Sequence, residues 1–200
     1  MTTIETFMRG AAEPSIEQAR AICELVGASF NYLWFGDGEP FSSEDEYWPS
    51  VCSYPTLFQD DEVESILFVR GDNLPHTSYV VLALTKYRYR VLPTLWHVSS
   101  INGNGGASSL VELADLSAEM RKAGRSKVIR GIEVRSKICE SVFYGRLHAR
   151  ALLRKGWKPS YWWDDLSDVD HVRPAASKYR EQYDREFFAA QELIKWARKA

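Results

Sequence analysis

A Gly-rich segment that precedes a predicted helix has the clearest potential for chemistry. Its members are Asn102, Gly103, Asn104, Gly105, Gly106 and Ala107. Glycines let backbone N–H groups converge on a phosphate, and the start of a helix adds positive potential. The segment lacks the Gly-Lys-Ser/Thr ending of a Walker A loop. The strands before it are predicted to be antiparallel, which does not suit a Rossmann unit. The pattern predicts a phosphate-binding loop, with a plain strand-to-helix turn as the alternative.

A second candidate site alternates basic and aromatic residues in the connection between two predicted strands. The run is Lys86, Tyr87, Arg88, Tyr89 and Arg90. On an extended strand the three cations share one face and the two tyrosines share the other. Such a face suits a nucleic-acid backbone, with rings available for stacking. Lys86, Arg88 and Arg90 are therefore candidate DNA-binding residues; the alternative is a solvated hairpin end whose rings pack on the sheet.

Composition restricts the classes of protein that these sites can belong to. The chain has 200 residues, 45% of them hydrophobic, and a formal net charge of −2. This balance is ordinary for a globular protein, so any contact with nucleic acid must come from a local basic patch. The three cysteines have no metal-ligand spacing, and no metal site is predicted. The absence of a signal peptide and of a long apolar run predicts a cytoplasmic protein without membrane association.

Capping signals predict the helices of the first 40 residues. Ser15 and Gln18 have the spacing of a capping box, which predicts a helix that ends at Gly27. Ser29 then begins a short second helix, which is predicted to end at Gly36. The sequence therefore predicts an N-terminal helical hairpin.

This hairpin is similar to the C-terminal half of the XRE family of phage-repressor-type helix-turn-helix proteins. The similarity covers residues 2–40 and rests on Arg9-Gly10, on Pro14-Ser15 and on the closing Gly-Asp-Gly-Glu at residues 36–39. It implies DNA contacts by Thr2, Thr3, Thr6 and Arg9 from the end of a recognition helix. The two helices that precede a recognition helix and brace it have no counterpart in the sequence. Three interpretations stay open: a hairpin for packing or dimerisation, retained DNA binding, or a true start upstream of Met1.

Hydrophobic periodicity predicts the remaining elements. Strands are predicted over residues 65–69, 78–85, 91–101, 127–135 and 160–163, and helices over residues 110–123, 138–155 and 175–200. An acidic stretch with prolines predicts a linker over residues 41–62. The last helix carries an aromatic and apolar stripe, made of Tyr179, Tyr183, Phe187, Ala190 and Ile194. The stripe is predicted to dock on the chain's own core, with a homodimer contact as the alternative.

The order of these elements over residues 63–165 resembles the GNAT acyltransferase superfamily. The resemblance implies that Asn102, Gly105 and Ala107 belong to a loop that holds the pyrophosphate of acetyl-CoA. It also implies a base or water-holding group at His97, and Tyr144 is the candidate acid for the leaving thiolate. Where the family often has Asn, Ala and Tyr, this chain has Gly145, His148 and Leu152.

The expected fold class is α+β. It combines an N-terminal helical hairpin, a central mixed but mainly antiparallel GNAT-like sheet with flanking helices, and a long C-terminal helix. The expected divisions are residues 1–40, the linker at 41–62, the GNAT-like domain at 63–170 and the helix at 174–200.

Two functions are compatible with this reading. The first is a phage- or prophage-type regulatory or DNA-associated protein whose GNAT-like domain binds a ligand or a protein partner. The second is an acyl-CoA-dependent N-acyltransferase that uses acetyl-CoA. Expected partners are DNA, another protein, or a second copy that binds through the N-terminal module or the C-terminal helix.

Overall fold

The first helix of the hairpin has the ends that its sequence predicts. The computed structural model describes residues 6–7, 9–41, 50–122, 128–154, 158–172 and 176–200, with the side chains at 102–105, 122 and 177 excepted. Helix α1 runs over Ile16–Val26. The backbone N–H of Gln18 donates to Ser15 Oγ at 3.2 Å, and the Ser15 N–H donates to Gln18 Oε1 at 2.9 Å. Gly27 ends the helix in the left-handed region, at φ 65°. The predicted capping box and C-cap are confirmed.

The second helix of the hairpin, α2, runs over Phe30–Phe35. The Tyr32 N–H donates to Ser29 Oγ at 3.1 Å, and Gly36 ends the helix at φ 77°. Both ends therefore lie where the sequence predicts them.

A six-stranded mixed sheet forms the centre of the molecule. Its strands are β1 (Ser65–Gly71), β2 (Thr77–Ala83), β3 (Tyr89–Val91), β4 (Trp96–His97), β5 (Val128–Val134) and β6 (Lys158–Pro159). The order is β3-β2-β1-β5-β6, and β4 also pairs with β2. Strands β1 and β2 are antiparallel, whereas β1 and β5 are parallel. The predicted strands at 65–69, 78–85 and 127–135 are confirmed, and the fold is of the α+β class.

One face of the sheet is covered by most of the helices. They are α3 (Tyr54–Phe58), α4 (Gly103–Lys122), α6 (Trp162–Ser167), α7 (Ser177–Gln182) and α8 (Arg185–Ala197). Ile66 and Phe68 of β1 point to this face, because side chains alternate along a strand. The predicted stripe of the C-terminal segment is buried here, in the chain's own core.

The other face of the sheet is covered by helix α5 (Ser136–Phe143) and by a 3₁₀ helix at Ala149–Leu153. These elements pack on Leu67 and Val69 of β1 and on Ile132 of β5. Residues from both faces alternate along β1 and β2, so the two central strands are buried on both sides.

Four predicted elements differ from the structure. The strand at 91–101 divides into β3 and β4, with Pro93 between them, because proline lacks the N–H that a sheet ladder needs. The helix at 138–155 stops near Gly145, which adopts φ 72°. The strand at 160–163 is instead the beginning of α6. The single helix at 175–200 is broken at Tyr183, whose backbone is extended, and Asp184 then caps α8.

The linker predicted over residues 41–62 is also different in its second half. Residues 50–62 contain a 3₁₀ helix at Val51–Ser53 and helix α3. Val51, Tyr54 and Phe58 are buried in the core beside the sheet. The stretch was predicted to be a linker because its prolines and polar residues outweighed this apolar spacing. Among the described helices, none combines the length and the apolar character needed to cross a bilayer.

Candidate functional site

The turn between β2 and β3 presents the predicted basic and aromatic run. The backbone N–H groups of Tyr87 and Arg88 donate to Thr85 Oγ1 at 3.2 and 3.0 Å. The Leu84 N–H donates to the Arg88 carbonyl at 3.0 Å and closes the turn. Side chain–backbone bonds of this kind fix a turn locally. Lys86 and Tyr87 therefore project from a defined turn.

Two cations lie close to the ring of Tyr87. Lys86 Nζ is 5.2 Å from the ring centroid, and the Arg150 guanidinium carbon is 5.1 Å from it. These distances are within the range of cation–π attraction. The hydrogen bond from Lys86 and then its positive charge, with a smaller contribution from Arg150, lower the pKa of the Tyr87 hydroxyl. Tyr87 is 43% exposed, so this cluster of donors faces solvent.

A groove of about 520 Å³ lies beside this turn. It is lined by Lys86, Tyr89, Arg150, Leu153 and Arg154. We call these five residues the basic groove. Its three cations are exposed, and none forms an ion pair with a carboxylate in the described part of the chain. The groove therefore combines positive charge with an aromatic and an aliphatic wall.

The predicted candidates Arg88 and Arg90 lie on the same turn and strand as Lys86. Arg88 is exposed and Arg90 is partly buried in β3. Arg150 and Arg154 are contributed by the 3₁₀ helix and the residue that follows it. These two arginines were not among the predicted site residues, because the segment was predicted to be one long helix. The spacing of four residues between Arg146, Arg150 and Arg154 is the sequence signal that could have indicated them.

His148 holds the parts of this site together. Its Nε2 lies 3.0 Å from the carbonyl oxygen of Val26 and 3.0 Å from that of Tyr87. Its Nδ1 accepts the backbone N–H of Arg150 at 3.1 Å. Nε2 must carry a proton to donate to carbonyls, and Nδ1 must lack one to accept. One neutral imidazole therefore joins helix α1, the β2–β3 turn and the 3₁₀ helix.

The N-terminal module has further contacts beside the groove. The Phe41 N–H donates to the Gly145 carbonyl at 2.8 Å, and Arg146 Nε lies 3.4 Å from Glu39 Oε1. The edge of the Phe41 ring meets the imidazole of His148 at a centroid distance of 5.0 Å. The end of the hairpin therefore packs on residues 145–148, which follow helix α5.

The DNA contacts implied at the N-terminus are only partly described. Arg9 is exposed in a turn that precedes α1, and Thr6 is partly buried in a helical turn. Thr2 and Thr3 lie outside the described residues. No contact brings Arg9 to the basic groove among the bonds and ion pairs found in the described ranges.

The Gly-rich segment is not a loop. A 3₁₀ helix at Ser100–Asn102 leads directly into α4, whose first turn contains Gly103, Asn104, Gly105 and Gly106. Ala107 is fully buried against the core. A strand does precede the segment, but the backbone becomes helical before the glycines begin. The predicted phosphate loop is therefore replaced by a helix start.

A carboxylate of the chain itself lies at this helix start. Ser100 donates to Glu186 Oε2 through its backbone N–H at 3.0 Å and through its hydroxyl at 2.5 Å. These two bonds lower the pKa of the Glu186 carboxyl. A negative charge at this position opposes the approach of a pyrophosphate.

His97 and Tyr144 belong to different parts of the fold. His97 ends β4 opposite Thr77, is partly buried, and has a pKa lowered by burial. Tyr144 is exposed after helix α5, which lies on the opposite face of the sheet from α4. The Gly-rich segment and the candidate acid are therefore on different faces.

An ionic network with a buried arginine and a buried histidine lies at the end of β1. Arg70 is 2% exposed and contacts Glu133 Oε2 at 3.0 Å and Asp184 Oδ2 at 3.4 Å. His76 Nε2 lies 3.0 Å from the same Asp184 oxygen, and His76 Nδ1 lies 3.0 Å from the Gly71 carbonyl. The bond from His76, helped by the Phe187 N–H and by Arg70, lowers the pKa of Asp184. This network ties β1, β5 and α8 together.

A larger cavity of about 610 Å³ lies along α7 and α8. Its lining residues are Val172, Arg180, Tyr183, Asp184, Arg185, Phe188, Ala189, Gln191, Glu192 and Lys195. Lys195 pairs with Glu192 at 2.7 Å, and Tyr183 donates to Asp165 beside it. Lys195 and Glu192 therefore neutralise one another, while Arg180 and Arg185 on the wall of this cavity are exposed.

Comparisons of the chain with models of protein families, with curated proteins and with solved structures find no match. Across the described residues, no group of three His, Cys, Asp or Glu side chains is arranged to hold a metal ion.

Proposed function

We propose that this chain is a DNA-associated protein that holds the phosphodiester backbone in the basic groove. The observation that carries the proposal is the meeting of Lys86, Arg150 and Arg154 around two tyrosines, without a described carboxylate partner. Arg88 and Arg90 extend the positive surface along the hairpin. The XRE resemblance of residues 2–40 favours the same class of ligand.

Charge supports a phosphate ligand over a neutral one. The chain as a whole carries −2, so its surface repels a polyanion except where cations are concentrated. Several cations on a turn and on a neighbouring 3₁₀ helix can each contact a different phosphate. Contacts of this kind give affinity with little dependence on base sequence.

The tyrosines support the same ligand through their positions. The ring of Tyr87 holds Lys86 and Arg150 close to one another, which reduces the entropy lost when both bind phosphate. The wall formed by Tyr89 and Leu153 offers apolar contact to a sugar or a base. His148 fixes the turn against the 3₁₀ helix, so the cations on both elements are positioned before DNA binds.

The test is a titration of labelled duplex DNA followed by fluorescence anisotropy at several salt concentrations. We expect binding that weakens as salt rises, because counterions are released on binding. The double variant Arg150→Gln/Arg154→Gln should bind more weakly and lower the slope of log K against log salt by about 1.8. The matched control is Lys178→Gln/Lys199→Gln, which removes two exposed charges, one on α7 and one in the turn after α8, from the opposite face.

Two results would overturn the proposal. The first is the absence of binding to duplex and to single-stranded DNA at low salt. The second is an equal effect of the groove variant and of the control, since general charge would then explain the binding.

A further inference from the structure

The cavity along α7 and α8 has the size of a small-molecule site. Its volume of about 610 Å³ lies within the range of about 300–1,000 Å³ that is usual for pockets that enclose a small ligand. The α8 residues that line it lie along one side of the helix, since they are separated mainly by steps of three and four positions. They are Arg185, Phe188, Ala189, Gln191, Glu192 and Lys195.

The aromatic wall of the cavity is held in place by its neighbours. The Phe188 ring meets the rings of Tyr183 and Phe187 edge to face, at centroid distances of 6.5 and 5.9 Å. Tyr183 is fixed in turn, since its hydroxyl donates to Asp165 and accepts a bond from Gln182 Nε2 at 2.7 Å. A wall that is ordered before a ligand arrives loses little conformational entropy on binding.

The carboxylates that line the cavity are already engaged by cations of the chain. Asp184 Oδ2 lies 3.0 Å from His76 Nε2 and 3.4 Å from Arg70. Glu192 pairs with Lys195 at 2.7 Å. Their negative charge is therefore largely offset within the protein.

Arg185 gives the cavity its positive charge. Its side chain is exposed, and no carboxylate lies within ion-pair distance of its guanidinium in the described ranges. The adjacent acid, Glu186, accepts two bonds from Ser100 instead. Arg180 of α7 is a second exposed cation on the same wall. The cavity therefore combines an apolar interior with charge that favours an anion.

We propose that this cavity binds a small amphipathic anion, an apolar ring or chain that carries one acidic group such as a carboxylate, sulfonate or phosphate. The apolar body lies against Val172, Phe188 and Ala189. The acidic group meets the guanidinium of Arg185, which can donate two parallel N–H bonds to it. Size, a preformed apolar wall and an accessible arginine are the features that this class of ligand requires.

This site goes beyond DNA binding and does not rest on it. Val172 and Tyr183 of the cavity belong to the core on one face of the sheet, whereas Tyr89 and Leu153 of the basic groove pack on the other face. A molecule in the cavity therefore leaves the basic groove accessible. The two sites can be tested separately.

The test uses two fluorescent probes that share one ring system. Anilinonaphthalene sulfonate carries an acidic group, and N-phenylnaphthylamine lacks it. Both become fluorescent in an apolar site, so titration of the full chain with each probe gives its Kd. We expect saturable binding of both probes by the wild-type protein.

Two variants test the two parts of the site. Arg185→Gln should weaken the sulfonate about three- to fivefold, as expected for an exposed charge contact, and leave the Kd of the neutral amine unchanged. Its matched control, Arg130→Gln, removes an exposed arginine of β5 and should change neither Kd. Ala189→Trp fills the cavity and should weaken both probes by more than about tenfold. Ala197→Trp adds the same ring to α8 outside the cavity and should leave both unchanged.

Several results would overturn the proposal. One is the absence of saturable binding of the sulfonate by the wild type. Another is binding that Ala189→Trp leaves unchanged, since the probes then lie elsewhere on the protein. An equal loss in Arg185→Gln and Arg130→Gln would show that general charge attracts the sulfonate. A loss confined to Arg150→Gln/Arg154→Gln would place the sulfonate in the basic groove, and the cavity would not be its site.

Discussion

His148 connects three segments that are far apart in the sequence. Its ring bonds the carbonyl groups of Val26 and Tyr87 and accepts the N–H of Arg150. A sequence alone gives no signal for such a role, because the three partners depend on how the sheet and hairpin are packed. By contrast, the cap formed by Ser15 and Gln18 was predictable, since both partners lie within four residues.

Removal of the His148 ring should loosen the hairpin. His148→Ala leaves the partly buried carbonyl of Val26 and the exposed carbonyl of Tyr87 without the N–H that they share, and we expect a loss of about 0.5–1.5 kcal/mol in the free energy of unfolding. Amide exchange in α1 should become faster, and DNA affinity should fall because the turn and the 3₁₀ helix are no longer joined. Urea unfolding and hydrogen exchange measure these effects. His171→Ala, at an exposed histidine, should change neither; equal effects of the two variants would contradict the assigned role.

Asp184 gives a prediction about pH. The bond from His76, followed by the Phe187 N–H and Arg70, lowers the pKa of Asp184 below its usual value of about 3.9. A carboxyl with a lowered pKa in the folded state stabilises the protein above its unfolded pKa, and this stability is lost as pH falls through the folded pKa. The contribution should therefore be complete at neutral pH and decline below about pH 4.

Asp184→Asn isolates this charge because asparagine also caps helices well. At pH 7 the variant should lose about 0.5–1.5 kcal/mol of unfolding free energy, because the Asp184 side chain is 44% exposed and water screens its charge. The difference from the wild type should shrink as pH is lowered through the acid range. Urea unfolding at a series of pH values measures it, and a difference that stays constant down to strong acid would show that the charge is not responsible.

Among the elements, the central strands were the easiest to predict. Strands β1 and β2 are rich in β-branched and aromatic residues and are buried on both faces, whereas β5 is recognisable from its alternation of apolar residues with Arg130 and Glu133. The elements that were predicted wrongly depend on contacts with residues distant in sequence. The Gly-rich segment has loop composition, yet it continues a 3₁₀ helix into α4, and the break at Tyr183 follows from the network that holds Asp184.

The start of α6 depends on a glycine in β5. A side chain at Gly131 would place its Cβ 2.6 Å from Trp163 Cδ1 and in contact with the Ser160 carbonyl. Trp163 also stacks on Phe68 at a centroid distance of 4.9 Å, so its ring has little room to move. The glycine therefore leaves the space beside β5 that the Ser160 carbonyl and the Trp163 ring occupy.

Gly131→Ala should therefore destabilise the protein by about 1–3 kcal/mol or more through overpacking. Near-ultraviolet circular dichroism should change because the ring of Trp163 is displaced. The comparison is Gly38→Ala, where nothing lies within 4 Å of the added carbon and only the φ of 78° carries a cost. That cost is about 1–2 kcal/mol, and the tryptophan signal should be retained. An unchanged signal in Gly131→Ala would mean that the contact is not tight.

At the scale of the whole molecule, charge and surface are unevenly distributed. In a chain with a net charge of −2, three exposed cations meet at the basic groove, and three exposed rings lie on α2. Sequence reasoning identified Lys86, Arg88 and Arg90, but the groove needed Arg150 and Arg154 from a segment about 60 residues later. The residues of the β2–β3 hairpin could therefore be predicted, because they form a local sequence pattern. The contribution of Arg150 and Arg154 could not, because it depends on how the chain folds.

The two classes of function predict opposite responses of the intact protein to ligands. A ligand that binds only the folded state stabilises it by about 2.7 kcal/mol when present at about one hundred times its Kd. For a chain of this size this corresponds to a rise in Tm of roughly 5–10 °C. At low salt we expect duplex DNA to give such a rise and acetyl-CoA to give none, because Glu186 lies at the start of the Gly-rich helix.

The variants separate the possible origins of any shift. With Arg150→Gln/Arg154→Gln the rise produced by DNA should decrease, whereas Gly105→Glu should leave it unchanged, since α4 lies on the face opposite the groove. A rise produced by acetyl-CoA and abolished by Gly105→Glu would instead support an acyltransferase with its cofactor at α4. A rise produced by acetyl-CoA and abolished by the groove variant would show that the groove accepts small phosphorylated molecules, and the assignment of a DNA backbone as its ligand would then be wrong.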